Sequence, residues 1–167
     1  IIHMTKFLKN LKNNYIYLLQ AVLPLLLCLL PIYSTTFVDS GEATTYVYNA
    51  YNVISFTYQP FLSTIMLFLI IGCVLNFFVF LIYMWDGYKL PLVKREFNIF
   101  MLVVNCFVAI LCLGVLGYSI YLACQSGANG FVTYYSNFHS GSVILAVTEL
   151  VLNMFLIRKN YKKEIED

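Results

Sequence analysis

Residues 138–157 read FHSGSVILAVTELVLNMFLI, an apolar run with one acid, Glu149, near its middle. Twenty residues rising about 1.5 Å each cover roughly 30 Å, the hydrocarbon thickness of one bilayer. Glu149 stands nine residues before Arg158, so its backbone lies roughly 13 Å below that end, close to the midplane. The ten Val, Ile, Leu and Phe residues between Val143 and Ile157 favour insertion by about 4 to 5 kcal/mol, against about 3 kcal/mol for a central acid. Insertion wins, and Glu149 needs a partner. Ser142, Ala146, Glu149 and Asn153 recur at i, i+4, i+7 and i+11. From Ser142 onward every small or polar group except Thr148 therefore falls on one stripe, which predicts a face that meets protein rather than lipid.

The rest of the chain has the same character. Over 167 residues, 61% are apolar and 11% charged, which excludes an ordinary soluble domain and predicts an all-α integral membrane fold, one domain over 1–167. Spans are predicted at 15–33, 61–85, 97–124 and 138–157, with outer loops at 34–60 and 125–137. The net charge of +2 matters less than its distribution. Lys6, Lys9 and Lys12 precede the first run, Lys89, Lys94 and Arg95 divide the second from the third, and Arg158, Lys159, Lys162 and Lys163 follow the fourth. The two outer loops hold no basic residue. By the positive-inside rule both termini and the middle loop face the cytoplasm or an equivalent inner compartment, which requires an even number of spans. Four fit, as a four-helix bundle.

Before the first span, Phe7, Leu8 and Leu11 among three lysines predict a short amphipathic helix on the inner surface. Pro24 and Pro31 interrupt helical bonding in span one and predict a kink. In the first outer loop, alternating Thr, Val and Tyr flank Asp39-Ser40-Gly41-Glu42, the pattern of a β-hairpin. In the second, Gly127, Asn129 and Gly130 read as turn residues and 131–135 as a strand, so the two loops together predict a small β cap. Pro60 suits the first turn of span two, and Trp85 and Tyr88 anchor its inner end. Asn98, Asn105, Ala109, Cys112, Ser119 and Ala123 form a stripe on span three, flanked by Gly114 and Gly117. With Gly72 on span two and Ser142 and Ala146 on span four, these small residues are the predicted helix-packing positions.

Asn76, Asn105 and Glu149 all fall roughly 12 to 14 Å from the inner surface, which predicts one polar layer completed by Gln20 and Asn153. Two roles suit it: an interhelical hydrogen-bond clasp, or a proton or cation site of a small transporter or channel. Outside, Asp39, Glu42 and His139 are candidate cation ligands, yet three scattered positions read better as a solvated turn and an interfacial histidine. The five cysteines show no ligand or redox spacing and read as small buried hydrophobes, with a Cys28 to Cys124 bridge left open by their places near the outer surface. No cofactor, metal or catalytic motif stands out.

Four spans, inner termini, a longer strand-forming first outer loop and a shorter second one resemble the topology of claudin-type tetraspan proteins. The first loop departs from that family in having neither Trp nor Cys. Small multidrug transporters are similar in having four spans and an embedded Glu, but theirs lies in the first span and their loops are short. Matching small and polar stripes on spans three and four, a structured outer loop and no catalytic constellation lead to the expected function: a non-enzymatic tetraspan acting as an assembly, sensor or accessory subunit through its outer cap and polar helix faces, the alternative being a small proton- or ion-coupled transporter or channel centred on Glu149. Its expected partners are membrane lipids, further copies or a larger membrane complex, and an inner-side protein, with no nucleic acid.

Overall fold

A computed structural model describes residues 2–55, 60–85, 91–124, 126–129 and 132–166. Its elements run α1 (Ile2–Leu27), β1 (Pro31–Asp39), β2 (Glu42–Asn49), α2 (Ala50–Ser55), α3 (Pro60–Met84), α4 (Pro91–Ala123), β3 (Ser126–Asn129), β4 (Val132–Phe138) and α5 (Ser140–Glu166). Three helices, Pro60–Met84, Arg95–Ala123 and Ser140–Glu166, are long and apolar enough to cross a membrane. Their outward faces stay apolar: Phe78, Val103, Ile110, Leu113, Met154 and Phe155 are all more than half exposed. That much apolar surface suits lipid and not water, and by length and composition the chain is a multi-pass membrane protein.

The inward faces share one period. Buried positions on α4 are Asn98, Met101, Asn105, Val108, Cys112, Val115, Ser119 and Leu122, an unbroken alternation of three and four residues. On α3 they are Leu62, Ile65, Met66, Leu69, Gly72, Cys73, Asn76, Val79 and Phe80, and on α5 Ser142, Leu145, Ala146, Glu149, Asn153, Leu156 and Asn160 with Gly141. Helix α1 repeats the pattern with Asn14, Tyr17, Ala21 and Pro24, and Cys28 just past its end continues it. A mean spacing of 3.5 residues is the seam of helices packed side by side in a bundle. The four long helices accordingly form a ring in which α1 packs on α3, α3 on α4, α4 on α5 and α5 on α1. Gly72 lets α3 and α4 approach closely, since a Cβ there would stand 2.5 Å from Val108 Cγ2.

At one end the loops build a four-stranded antiparallel sheet of order β2-β1-β4-β3. The β1–β2 hairpin turns on Ser40 (φ 52°) and Gly41 (φ 89°), the two positive angles of a type I′ turn that matches strand twist. Strand β1 also pairs with β4, from Tyr33 opposite Phe138 to Asp39 opposite Val132, and this joins the two loops into the predicted cap. Helix α2 starts where Asn49 Oδ1 accepts the Asn52 amide at 2.9 Å, an N-cap.

Several boundaries differ from the sequence reading. Residues 1–14 are not a separate surface helix: α1 is continuous from Ile2 to Leu27, because nothing between Lys12 and Tyr15 breaks it. The helix over the first predicted span ends at Leu27, not 33, since the strand pairing of Pro31 with Asn49 and of Tyr33 with Tyr48 and Phe138 claims that backbone for the sheet. Lys94, Arg95 and Glu96 lie in the first turns of α4 rather than in a loop. Gly127 and Asn129 are strand residues paired with Tyr134 and Val132, while Gly130, Lys89 and Tyr88 lie outside the described residues. Ala109 is half-buried and Ala123 exposed, so the α4 seam runs through Val108, Val115 and Leu122 instead. A Cβ on Gly114 would meet Ile65 Cδ1 at 3.5 Å, whereas one on Gly117 would meet open space, so Gly117 packs against no described residue of the chain.

Candidate functional site

Glu149 lies on the inner seam of α5, 1% exposed. Its Oε2 accepts from Gln20 Nε2 of α1 at 2.6 Å and from Asn153 Nδ2, one turn along α5, at 3.2 Å. Its Oε1 accepts from the Cys73 thiol of α3 at 3.4 Å. One carboxyl group thus ties three helices. Gln20 and Asn153 are both fully buried; Glu149 and Asn153 stand on the α5 seam, and Gln20 stands beside Ala21 of the α1 seam.

The asparagines use a common device. Asn76, Asn105 and Asn153 each donate to the carbonyl four residues earlier, at Gly72 (3.0 Å), Met101 (2.8 Å) and Glu149 (2.8 Å). Back-bonding of this kind satisfies a donor within the helix's own turn and leaves the amide free to reach a neighbour. Asn76 Nδ2 also donates to Asn105 Oδ1 at 3.2 Å, linking α3 to α4. The five sequence-predicted polar residues therefore fall into two hydrogen-bonded groups. Gln20, Glu149 and Asn153 form one with Cys73, while Asn76 and Asn105 form the other one turn away along α3. Gln20 Oε1, Asn76 Oδ1 and Asn153 Oδ1 have no hydrogen-bond partner.

A second polar tier closes the end of the bundle opposite the sheet. Tyr17 donates to Asn160 Oδ1 and Tyr83 to Asn98 Oδ1, both at 2.7 Å. The two tyrosine rings stack at 5.5 Å, with Lys159 over Tyr17 at 4.8 Å and Lys163 over Tyr83 at 3.8 Å, contacts that suit a cation on an aromatic face. Lys159 donates to Asn13 O and to Asn14 Oδ1, and Arg95 pairs with Glu164 at 2.8 Å. The sequence reading missed this tier and Cys73. Tyr17, Tyr83 and Asn160 each fit the 3.5-residue seam when it is extended past the apolar core, and that was the available signal.

The outer polar residues do not converge. Asp39 and Glu42 face each other across the hairpin turn, where Ser40 Oγ donates to Asp39 Oδ1 at 3.0 Å. His139 lies at the opposite end of the strands, its Nε2 2.9 Å from Ser34 Oγ and its amide on Ile32 O. Six strand residues separate the two places, roughly 20 Å, and among the described residues no group of three His, Cys, Asp or Glu could hold a metal ion. Cys28 and Cys124 are both free thiols, Cys28 buried and Cys124 exposed. Cys106 is also exposed and so is not the buried hydrophobe expected of it. Ser142 and Ala146 are fully buried against the bundle, as packing positions require.

Comparison with protein-family models, with curated proteins and with solved structures found no match to the chain in any of the three.

Proposed function

We propose that this chain is a non-enzymatic tetraspan that acts as an assembly, sensor or accessory subunit, recognising its partner through the outer sheet. α1 is the fourth span: it lies in the ring between α3 and α5 and carries Gln20 to the central carboxyl group. The basic residues gather at the end away from the sheet, which supports an inner placement of that end and of both termini.

The observation that carries the proposal is the edge position of β2 in the described sheet. Beyond Ser34 the sheet loses cover, with Phe37, Tyr46 and Val47 all 40% exposed or more. The eight-residue edge Glu42–Asn49 holds no Lys, Arg or Pro, the residues by which natural edge strands are usually blunted. The opposite edge, β3, is four residues long. The polar stripes of α4 and α5 are buried inside the bundle, where Asn105 turns to α3 and Glu149 to α1 and α3, so recognition falls to the sheet. The mass of the particle extracted in mild detergent tests this. A particle heavier than one chain, reduced to one chain by Tyr46→Lys with helix content unchanged, is the expected result. A single-chain particle that recovers no second protein from its native membrane contradicts it.

A second reading, a small proton- or ion-coupled transporter or channel centred on Glu149, draws support from the unpartnered oxygens of Gln20, Asn76 and Asn153. Uptake or current in vesicles containing the purified chain, abolished by Glu149→Gln, would favour it over the assembly reading.

A further inference from the structure

Glu149 and Gln20 meet at 2.6 Å, a separation that bears on where a proton resides. Amide N–H donors approach oxygen to about 2.7–3.2 Å, whereas hydroxyl donors approach to about 2.5–3.0 Å. After a half-turn of its terminal group, Gln20 presents its oxygen in place of its nitrogen at the same point. One end of that amide is unpartnered in either orientation, so length and charge decide between them.

Charge is the stronger consideration. An ionised carboxylate buried among apolar side chains needs a counter-charge or a full set of donors. The ionisable groups that feel Glu149 are Cys28 just past α1, Cys73 on α3 and Cys112 on α4, all thiols. The nearest basic residue on α5 is Arg158, nine residues and roughly 13 Å along the axis. On α1, Lys12 lies eight residues from Gln20, again roughly 12 Å. On α4, Arg95 lies ten residues from Asn105, and Pro60–Met84 holds no basic residue. No described cation reaches the carboxyl group.

We propose that Glu149 and Gln20 form a one-proton site in the core of the bundle: Glu149 is held as the neutral acid, and its Oε2–H donates to the Gln20 amide oxygen. The remaining contacts fit this assignment. Asn153 Nδ2 is fixed as a donor by Glu149 O at 2.8 Å and supplies the Oε2 hydroxyl with its accepted bond. The Cys73 thiol donates to Oε1, the carbonyl oxygen of the acid. The ligand is a proton and not a metal ion. Around Glu149 stand two neutral amides and a thiol and no second carboxylate, and among the described residues no group of three His, Cys, Asp or Glu could hold a metal ion. The inference rests on the buried cluster described above and defines its charge.

Infrared spectroscopy of the full chain in lipid nanodiscs, with glutamate labelled by carbon-13 at the side-chain carboxyl, tests it at neutral pH. Glu42 and Glu96 are exposed, and Glu164 and Glu166 pair with Arg95 and Lys162, so these four contribute carboxylate bands. The expected result is one protonated-acid carbonyl band that moves with the label and with deuteration. That band disappears in Glu149→Gln and rises in frequency in Gln20→Met, where the acid loses its acceptor. Carboxylate bands alone overturn the proposal, and an acid band unmoved by Gln20→Met overturns the part assigned to Gln20. The label assigns the band in the unsubstituted chain, so the test stands even if Glu149→Gln does not fold. Carboxylate bands together with a Glu149→Gln chain that still assembles would remove the proton site and leave the clasp intact.

Discussion

Glu149 gathers three helices through side-chain contacts alone, so its substitutions separate shape from charge. Glu149→Gln keeps the outline and both hydrogen-bonding positions. Little change in thermal unfolding in detergent is expected. Glu149→Leu strands Gln20 and Cys73 as buried donors without their shared acceptor, while Asn153 keeps its bond to the carbonyl of residue 149, at about 1–3 kcal/mol for the amide left unsatisfied. A clearly lower melting temperature than that of the Gln variant is expected, and equal melting of the two would remove the clasp. The sequence made Glu149, Gln20 and Asn153 visible because a polar side chain inside an apolar run has few places to go. Cys73 was hidden by its chemistry, since a thiol in a membrane helix resembles any small apolar residue until a carboxyl oxygen lies beside it. The division of the amides into two groups was equally hidden, because depth along a helix fixes height but not which neighbour is faced.

Among the elements, glycines mark the contacts that tolerate no side chain. A Cβ on Gly141 would run into Pro31 O and stand 2.9 Å from Leu30 Cβ, where α5 leaves the sheet beside the start of β1. Gly141→Ala is expected to spread that junction and speed amide exchange in Tyr33 and Phe138 while the far end of the bundle stays protected. Gly72→Ala presses on Val108 and is expected to cost about 1–3 kcal/mol as overpacking, read as a lower melting temperature. Gly41→Ala places a side chain at φ 89°, at about 1–2 kcal/mol, and loosens the hairpin without touching the helices. The hairpin itself was legible from Asp39-Ser40-Gly41-Glu42 between alternating residues. Where helix gives way to strand was not. Ile32 and Tyr33 are as apolar as the span before them, and pairing with residues more than a hundred positions away, Phe138 among them, decides their backbone.

For the whole molecule, the four inward seams of 3.5-residue spacing and the sheet at one end compose a bundle with two unlike ends, one whose described residues include Asp39 and Glu42 but no Lys or Arg, the other ringed with Lys and Arg. The asymmetry of charge was readable from sequence alone and so was the helical membrane class. The ring order was not, because every seam has the same period and periodicity names no neighbour. The reading of this chain as a four-span protein that offers its sheet to the outside depends on which end faces which compartment. Labelling with an impermeant thiol reagent in intact cells measures that directly, in a background carrying Cys106→Ala and Cys124→Ala so that the remaining native thiols, Cys28, Cys73 and Cys112, are all buried. A cysteine placed at the exposed Thr44 of β2 should react before the cells are opened, and one placed at Lys162 of α5 should react only afterwards. Reaction at Lys162 in intact cells, with Thr44 protected, would contradict the account.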